Sequence, residues 1–128
     1  MSRGLLDTSI FIAQEVSRPL EVSRIPDAVA VSVVTISELQ FGVLSAPGIN
    51  ERQRRLSTYR EALRFDPIPI DLGVADAFAE LRSRLGAKRK NISVNDLWIA
   101  ATAKSLEIPL VTQDRELSKI PGIEVILV

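Results

Sequence analysis

Acidic residues are the side chains of this sequence best suited to chemistry, because its 128 residues include neither histidine nor cysteine. Their absence removes the usual general base, the imidazole and thiolate metal ligands, and any Ser-His triad. A reaction must therefore use carboxylates, hydroxyls, amides, Lys or Arg, or a metal ion held by oxygen. Four acids stand near predicted ends of strands or starts of helices: Asp7, Glu38, Asp96 and Asp114.

Alternating strands and helices are predicted to position these acids. Apolar and β-branched runs predict strands at residues 5–6, 29–34, 109–112 and 124–128. Apolar residues at helical spacing predict helices that begin near residues 36, 50, 71 and 93. Prolines confine residues 67–70 to an edge or a connection. We expect one α/β domain, residues 1–128, with a mainly parallel central sheet.

The four acids are expected to converge at one edge of that sheet. In open α/β sheets, ligands bind in the crevice outside the carboxyl ends of the strands. Carboxylates gathered there without a cation repel one another. A divalent ion with a preference for oxygen ligands, Mg²⁺ or Mn²⁺, would relieve that repulsion.

Helix capping is the alternative role for each acid taken alone. Thr35-Ile36-Ser37-Glu38 and Ser93-Val94-Asn95-Asp96 both fit the capping box, and Asp7 fits an N-cap. The helix dipole favours acids in a first turn without any ligand. Capping does not require acids from distant parts of the chain to share one edge, so the shared edge favours a site.

Four segments of the sequence resemble the motifs of PIN domains, in order and spacing. The whole chain from Leu5 to the last strand is similar to the VapC-like ribonuclease toxins of bacterial toxin–antitoxin pairs. The segments are Leu5-Leu6-Asp7-Thr8-Ser9, Ile36-Ser37-Glu38-Leu39, Asn95-Asp96-Leu97-Trp98-Ile99-Ala100-Ala101-Thr102-Ala103 and Leu110-Val111-Thr112-Gln113-Asp114. The resemblance implies a PIN-like three-layer α/β/α domain and a single PIN domain over residues 1–128.

The resemblance also implies roles for individual residues. Asp7, Glu38, Asp96 and Asp114 would form the catalytic pocket and bind Mg²⁺ or Mn²⁺. Thr8, Asn95 and Thr112 would support the pocket through hydrogen bonds. Many relatives have another Asp two residues after the fourth acid. Glu116 stands there in this sequence, with the same charge on a longer side chain, and is a further candidate.

The implied function is metal-dependent hydrolysis of RNA phosphodiesters by the toxin of a toxin–antitoxin pair. The implied partners are an RNA substrate, a cognate antitoxin protein and a second copy of the chain in a homodimer. Exposed apolar residues, including Phe41, are expected on the helical hairpin 36–63 as a surface for the antitoxin. No stretch reaches the roughly 18 apolar residues of a membrane span, and we expect a cytoplasmic protein with no membrane partner.

Basic residues concentrate in two segments, 52–64 and 82–90, which hold 10 of the 16 Lys and Arg residues. They are interpreted either as solvated helix faces or as surfaces that hold the RNA backbone. A catalytically silent RNA- or protein-binding PIN-fold module is the alternative function, and DNA is an alternative substrate. A phosphatase of the aspartyl-phosphate type is set aside, because Ser9 occupies the position of its second Asp.

Overall fold

A parallel sheet forms the centre of the protein in a computed structural model, which describes residues 2–88 and 91–128. Within these residues the sheet contains β1 (Arg3–Leu6), β2 (Ala28–Val31), β3 (Leu110–Thr112) and β4 (Val125–Leu127). The strand order is β2-β1-β3-β4, and each neighbouring pair is parallel. This confirms the predicted α/β fold with a parallel sheet. Arg89 and Lys90, at the end of the second basic segment, lie outside the described residues.

Helices connect the strands and cover the sheet. They are α1 (Thr8–Glu15), α2 (Val33–Leu44), α3 (Ile49–Leu63), α4 (Leu72–Leu85) and α5 (Val94–Leu106). A short 3-10 helix, Arg115–Lys119, separates β3 from β4. In the part of the chain just described, no helix is both long and apolar enough to cross a bilayer.

Alternating side chains of the central strands divide the core between two faces. Leu5 and Leu110 pack in one cluster with residues of α4 and α5. Leu6 and Val111, the next residue in each strand, pack in a second cluster with residues of α1, α2 and α3. This follows from the two-residue period of a strand and gives the three-layer α/β/α arrangement. Trp98 of α5 stacks on Phe78 of α4 with ring centroids 3.8 Å apart, so its ring packs between these helices.

The predicted strand at residues 29–34 ends earlier than expected. β2 stops at Val31, and Ser32 is the N-cap of α2, where its Oγ accepts a hydrogen bond from the Val34 N–H at 3.0 Å. The predicted capping box that begins at Thr35 is therefore wrong, and Glu38 lies in the second turn of α2. The β-branched pattern continues through Val33 and Val34, and the first turn of α2 buries Val34 as a strand would. The predicted edge segment 67–70 is confirmed by a parallel bridge between Ile68 and Ser32.

The strand order places a crevice between β1 and β3. The chain passes from β1 to β2 on one side and from β3 to β4 on the other, so the connections diverge at the β1–β3 pair. Such a divergence leaves an open crevice at the carboxyl ends of the strands. Asp7 follows β1 and Asp114 follows β3, so both stand at this point of the edge.

Candidate functional site

Asp7 is a buried carboxylate fixed against the end of β3. It is 4% exposed, and its backbone N–H continues the pairing of β1 with β3 by donating to the Val111 carbonyl oxygen at 2.8 Å. Thr112 Oγ1 donates to Asp7 Oδ2 at 2.7 Å. Asp7 is the N-cap residue of α1 by position, but among the described residues its side chain accepts no cap hydrogen bond. The Asp7 carboxylate therefore contacts Thr112 at the crevice and does not cap α1.

Glu38 reaches the same region from α2. Thr8 Oγ1 donates to Glu38 Oε1 at 2.7 Å. Asn95 Nδ2 makes a longer contact of 3.5 Å with Glu38 Oε2, which connects α2 with the start of α5. Of the three predicted supporting residues, the structure brings Thr8 and Asn95 to Glu38, and Thr112 to Asp7.

Two further hydroxyls, which sequence reasoning missed, lie behind these contacts. Thr35 Oγ1 is 2.9 Å from Thr8 Oγ1, and Ser9 Oγ is 3.2 Å from Thr112 Oγ1. A hydroxyl has one proton to donate. Because Thr8 and Thr112 give theirs to carboxylates, Thr35 must donate to Thr8, and Ser9 must donate to Thr112. The carboxylates of Asp7, which is buried, and Glu38, which is half-buried, are therefore each held by a chain of two hydroxyls.

One three-residue segment contributes residues to both of these hydrogen-bonded series of hydroxyls. Asp7, Thr8 and Ser9 are consecutive, and Thr8 points toward α2 while Ser9 points toward β3. The Gln113 N–H also donates to Ser9 Oγ at 3.1 Å. A Thr three residues before Glu38 was visible in the sequence, but nothing local indicated that it would meet Thr8, 27 residues away.

Asp96 and Asp114 are held differently, by backbone N–H groups at the starts of helices. Asp96 Oδ2 accepts from the Ser93 N–H at 3.0 Å and completes the capping box predicted there. Asp114 Oδ1 accepts from the Glu116 N–H at 2.9 Å, and the Asp114 N–H donates to Thr112 Oγ1 at 3.0 Å. Thr112 therefore contacts both of the acids that follow β1 and β3.

The charges of Asp7 and Asp114 reach Asp96. Burial raises the pKa of the Asp96 carboxyl above its ordinary value, hydrogen bonds from Ser93 oppose that rise, and the charges of Asp7 and Asp114 add to it. Glu38 is connected to the start of α5 through Asn95, the neighbour of Asp96.

Glu116 is occupied by a different interaction. Its carboxylate accepts from Lys119 Nζ at 2.9 and 3.1 Å, and the pKa of Glu116 is lowered, chiefly by that hydrogen bond. Asn91 adds a further hydrogen bond. The structure therefore does not bring Glu116 into the charge cluster of Asp7, Asp96 and Asp114.

Comparison with known families agrees with this arrangement of fold and acids. The model of the PIN domain family matches residues 4–123. The chain belongs to the PIN-domain family. This PIN domain is similar to Ribonuclease VapC5 of Mycobacterium tuberculosis, with 42% identity over 119 residues that cover 93% of this chain and 88% of the relative. It is also similar to Ribonuclease VapC4 of the same organism, with 45% identity over 131 residues that cover 98% and 97%.

A solved structure extends the similarity to the whole fold. The crystal structure of a member of the VapBC family of toxin–antitoxin systems, VapBC-5 from Mycobacterium tuberculosis, superposes on this PIN domain with a TM-score of 0.90. The two chains are 40% identical, and the match covers 100% of each. VapBC2 from Rickettsia felis, bound to a promoter DNA fragment, matches with a TM-score of 0.79, 25% identity and 97% coverage of each chain.

Proposed function

We propose that this PIN domain, spanning residues 1–128, is a metal-dependent endoribonuclease and the toxin of a toxin–antitoxin pair. The observation that carries the proposal is the position of Asp7 and Asp114 at the carboxyl edge of the sheet, where the charges of both act on Asp96. Relatives at 42% and 45% identity are named ribonucleases, and the similar VapBC-5 structure belongs to a toxin–antitoxin family.

The donor set of the site fits Mg²⁺ or Mn²⁺. Among residues 2–88 and 91–128, no three acidic side chains stand close enough to enclose an ion by themselves. Mg²⁺ seldom needs such a cage, because it is usually bound through one or two carboxylates, several waters and phosphate oxygens of the substrate. Repulsion from Asp7 and Asp114 at Asp96 is relieved when a cation enters. We therefore propose that Asp7, Glu38, Asp96 and Asp114 hold the ion, one or two of them directly and the others through its waters.

The chain's own residues would prepare the site for hydrolysis. A bound divalent ion lowers the pKa of a water and neutralises charge on the phosphate. Thr112 fixes one oxygen of Asp7 and leaves the other for the crevice. Thr8 and Asn95 fix Glu38 from two sides. These hydrogen bonds connect β3, α2 and the segment that follows β1. The carboxylates are therefore oriented before substrate binds. Glu116 stands outside the proposed site, since Lys119 engages it.

Exposed apolar residues on the hairpin of α2 and α3 support a protein partner. Phe41, Leu44 and Ile49 are 69%, 63% and 73% exposed. Large exposed apolar groups at neighbouring positions mark interaction surfaces. The antitoxin is the partner that we propose for them. A homodimer and a cytoplasmic location remain predictions, and sedimentation equilibrium would measure the first.

The test of the proposed function compares the parent with Asp96→Asn. Asn preserves the capping hydrogen bond and removes one negative charge. We expect the parent to gain about 2.7 kcal/mol of stability when Mn²⁺ is about 100-fold above its Kd. Asp96→Asn should gain little from Mn²⁺ and should cleave RNA at least about 100-fold more slowly. Thermal unfolding with EDTA and with Mn²⁺, and cleavage of total RNA, measure both effects.

Asp71→Asn is the matched control, because Asp71 is also an N-cap acid whose Oδ1 accepts a backbone hydrogen bond, from Val74 at 2.9 Å. It should respond to Mn²⁺ and cleave RNA as the parent does. Equal responses of the parent and Asp96→Asn, or undiminished cleavage by Asp96→Asn, would contradict the proposed metal site.

A further inference from the structure

An open cleft lies beside the carboxylate site at the same edge of the sheet. Its volume is about 620 Å³, within the range of roughly 300 to 1,000 Å³ that is typical of ligand sites. Its walls include Gln113, which follows β3, and Leu127, which ends β4. Because β3 and β4 are parallel neighbours, the cleft continues the edge on which Asp114 stands. The remaining polar walls are Arg18, Glu21, Arg24, Arg115 and Ser118.

The cleft carries three guanidinium groups and one side-chain carboxylate. Arg24 is 4.0 Å from Glu21, in a pair whose side chains are 52% and 70% exposed. Within residues 2–88 and 91–128, neither Arg18 nor Arg115 forms an ion pair. Solvent-exposed pairs such as Arg24–Glu21 are weak. The cleft, here named the arginine cleft after Arg18, Arg24 and Arg115, therefore offers positive charge to an incoming anion.

Two arginines of the first basic segment are engaged within the protein. On α3, Arg54 lies 4.0 Å from the nearly buried Glu15, and Arg55 lies 3.5 Å from Glu51. Arg55 also donates to the Gly42 carbonyl oxygen at 2.7 Å, which ties α3 to α2. Arg64, which follows α3, lies 3.3 Å from Glu61, but both side chains are exposed and such a pair is weak.

Gln113 connects the arginine cleft to the carboxylate site. Its backbone N–H donates to Ser9 Oγ, inside the hydroxyl chain that holds Asp7. Its side-chain Oε1 accepts from Arg18 Nη1 at 3.1 Å, and its Nε2 donates to the Pro19 carbonyl oxygen at 2.9 Å. One residue therefore fixes the loop that carries Arg18 relative to the strand that carries Asp114.

We propose that the arginine cleft binds backbone phosphates of the single-stranded RNA that extends from the carboxylate site. The inference rests on the proposed ribonuclease function and names where the substrate is held. A cluster of carboxylates repels a polyanion, so much of the affinity for RNA must come from cations nearby. Guanidinium groups suit this role because their planar array of donors matches phosphate oxygens. Such contacts position a strand without reading its sequence.

The test replaces Arg18, Arg24 and Arg115 together by Gln and measures binding of a labelled 20-nucleotide RNA in EDTA over a series of salt concentrations. Loss of three phosphate contacts should reduce the slope of log K against log salt by about 2, at about 0.7 per contact. Affinity at low salt should fall roughly tenfold or more. The matched control, Arg52→Gln, Arg60→Gln and Arg64→Gln, removes the same charge from α3 and should change the slope by less than about 1.

Cleavage assays separate this inference from the proposed function. With Mn²⁺, the cleft variant should show a raised KM for the 20-nucleotide RNA, while a dinucleotide, whose single phosphate occupies the carboxylate site, should be cleaved as by the parent. A parent that cleaves no RNA refutes the proposed function. A parent that cleaves RNA, together with equal KM and salt slope in the cleft and control variants, refutes the cleft alone. The RNA proposal for the cleft would also be refuted if the cleft variant bound RNA as the parent does but lost binding of poly-glutamate. The ligand of the cleft would then be an acidic peptide.

Discussion

The two pairs of acids at the sheet edge are anchored by different chemistry. Asp7 and Glu38 accept hydrogen bonds from the hydroxyls of Thr112 and Thr8, whereas Asp96 and Asp114 accept from backbone N–H groups. Backbone donors accompany any helix start, whatever the sequence. Hydroxyl donors depend on individual side chains that tertiary packing brings together.

Because of this difference, we expect the two pairs of acids to respond differently to substitution of their neighbours. The hydroxyl-anchored pair depends on Thr112, Thr8, Thr35 and Ser9, each of which a single substitution can remove. Asp96 and Asp114 keep their backbone donors through most side-chain substitutions. We therefore expect removal of a negative charge, rather than loss of a hydrogen-bond donor, to change the stability of this pair. Substitutions of Thr112 and Thr35 test the hydroxyl-anchored pair, and substitution of Asp96 tests the backbone-anchored pair.

Thr112→Val is expected to have the largest effect on stability. The substitution keeps the volume of a fully buried side chain but removes the donor to the buried Asp7 carboxylate, and it leaves the Asp114 N–H and Ser9 without their acceptor. Leaving a buried charged group unsatisfied should cost about 3 kcal/mol of unfolding free energy, measured by urea denaturation in EDTA.

Thr112→Ser is the control for this prediction. It keeps the hydroxyl and removes one methyl group, so it should cost only about 1 kcal/mol. Equal destabilisation by the Val and Ser substitutions would show that packing at Thr112, rather than its hydrogen bond, stabilises the site.

Thr35→Val is expected to have a smaller effect on stability and a clear effect on catalysis. Thr35 is fully buried and donates to Thr8 without reaching a carboxylate, so a neutral hydrogen bond is lost at a cost of about 1 kcal/mol. Thr8 then becomes able to turn its proton away from Glu38. We expect kcat for RNA cleavage to fall about tenfold with little change in KM, and Thr35→Ser to restore it.

Thr102→Val provides a matched control, because Thr102 is also fully buried but donates to the Trp98 carbonyl oxygen within α5. It should change kcat little. A comparable fall in kcat for both Val variants would mean that loss of any buried hydroxyl disturbs the enzyme, and Thr35 would then have no special role in holding Glu38.

The contrast also explains which parts of the site the sequence could reveal. The acids at strand ends and the capping box at Ser93 are local features, and the order of strands and helices is enough to bring them to one edge. The hydroxyl chains were missed because Thr35 and Thr8 are 27 residues apart and Ser9 and Thr112 are 103 apart. No local pattern encodes such pairs.

Two other features of the structure depend on contacts that the sequence does not display. The start of α2 at Ser32 was obscured by a run of β-branched residues that suits both a strand and a buried first turn. The arginines of α3 were interpreted either as a solvated helix face or as a surface for RNA, and one of them, Arg54, instead lies 4.0 Å from Glu15 of α1. In both cases tertiary neighbours decided between two roles that the local sequence allows equally well.

In the absence of metal, Asp96→Asn should produce the smallest change in stability, and that change depends on pH. The pKa of Asp96 is raised in the folded protein from its ordinary value of 3.8, by burial first and then by Asp7 and Asp114. Between the ordinary and the raised pKa, the folded state binds more protons than the unfolded state, so the parent loses stability as pH rises through this interval. Above the raised pKa, the parent keeps the full loss of stability that burial and the charges of Asp7 and Asp114 impose on the Asp96 carboxylate.

In EDTA at pH 7, Asp96→Asn should therefore be more stable than the parent, by less than about 1 kcal/mol because partial exposure screens the repulsion. The difference should shrink as pH falls through the raised pKa and should vanish well below the ordinary pKa of 3.8, where the carboxyl is protonated in both states. Urea unfolding of the two proteins across this range measures the difference. If the variant gained its advantage on acidification instead, the carboxylate of Asp96 would be stabilised in the folded state, and the site would lack the repulsion that the other acids impose on it.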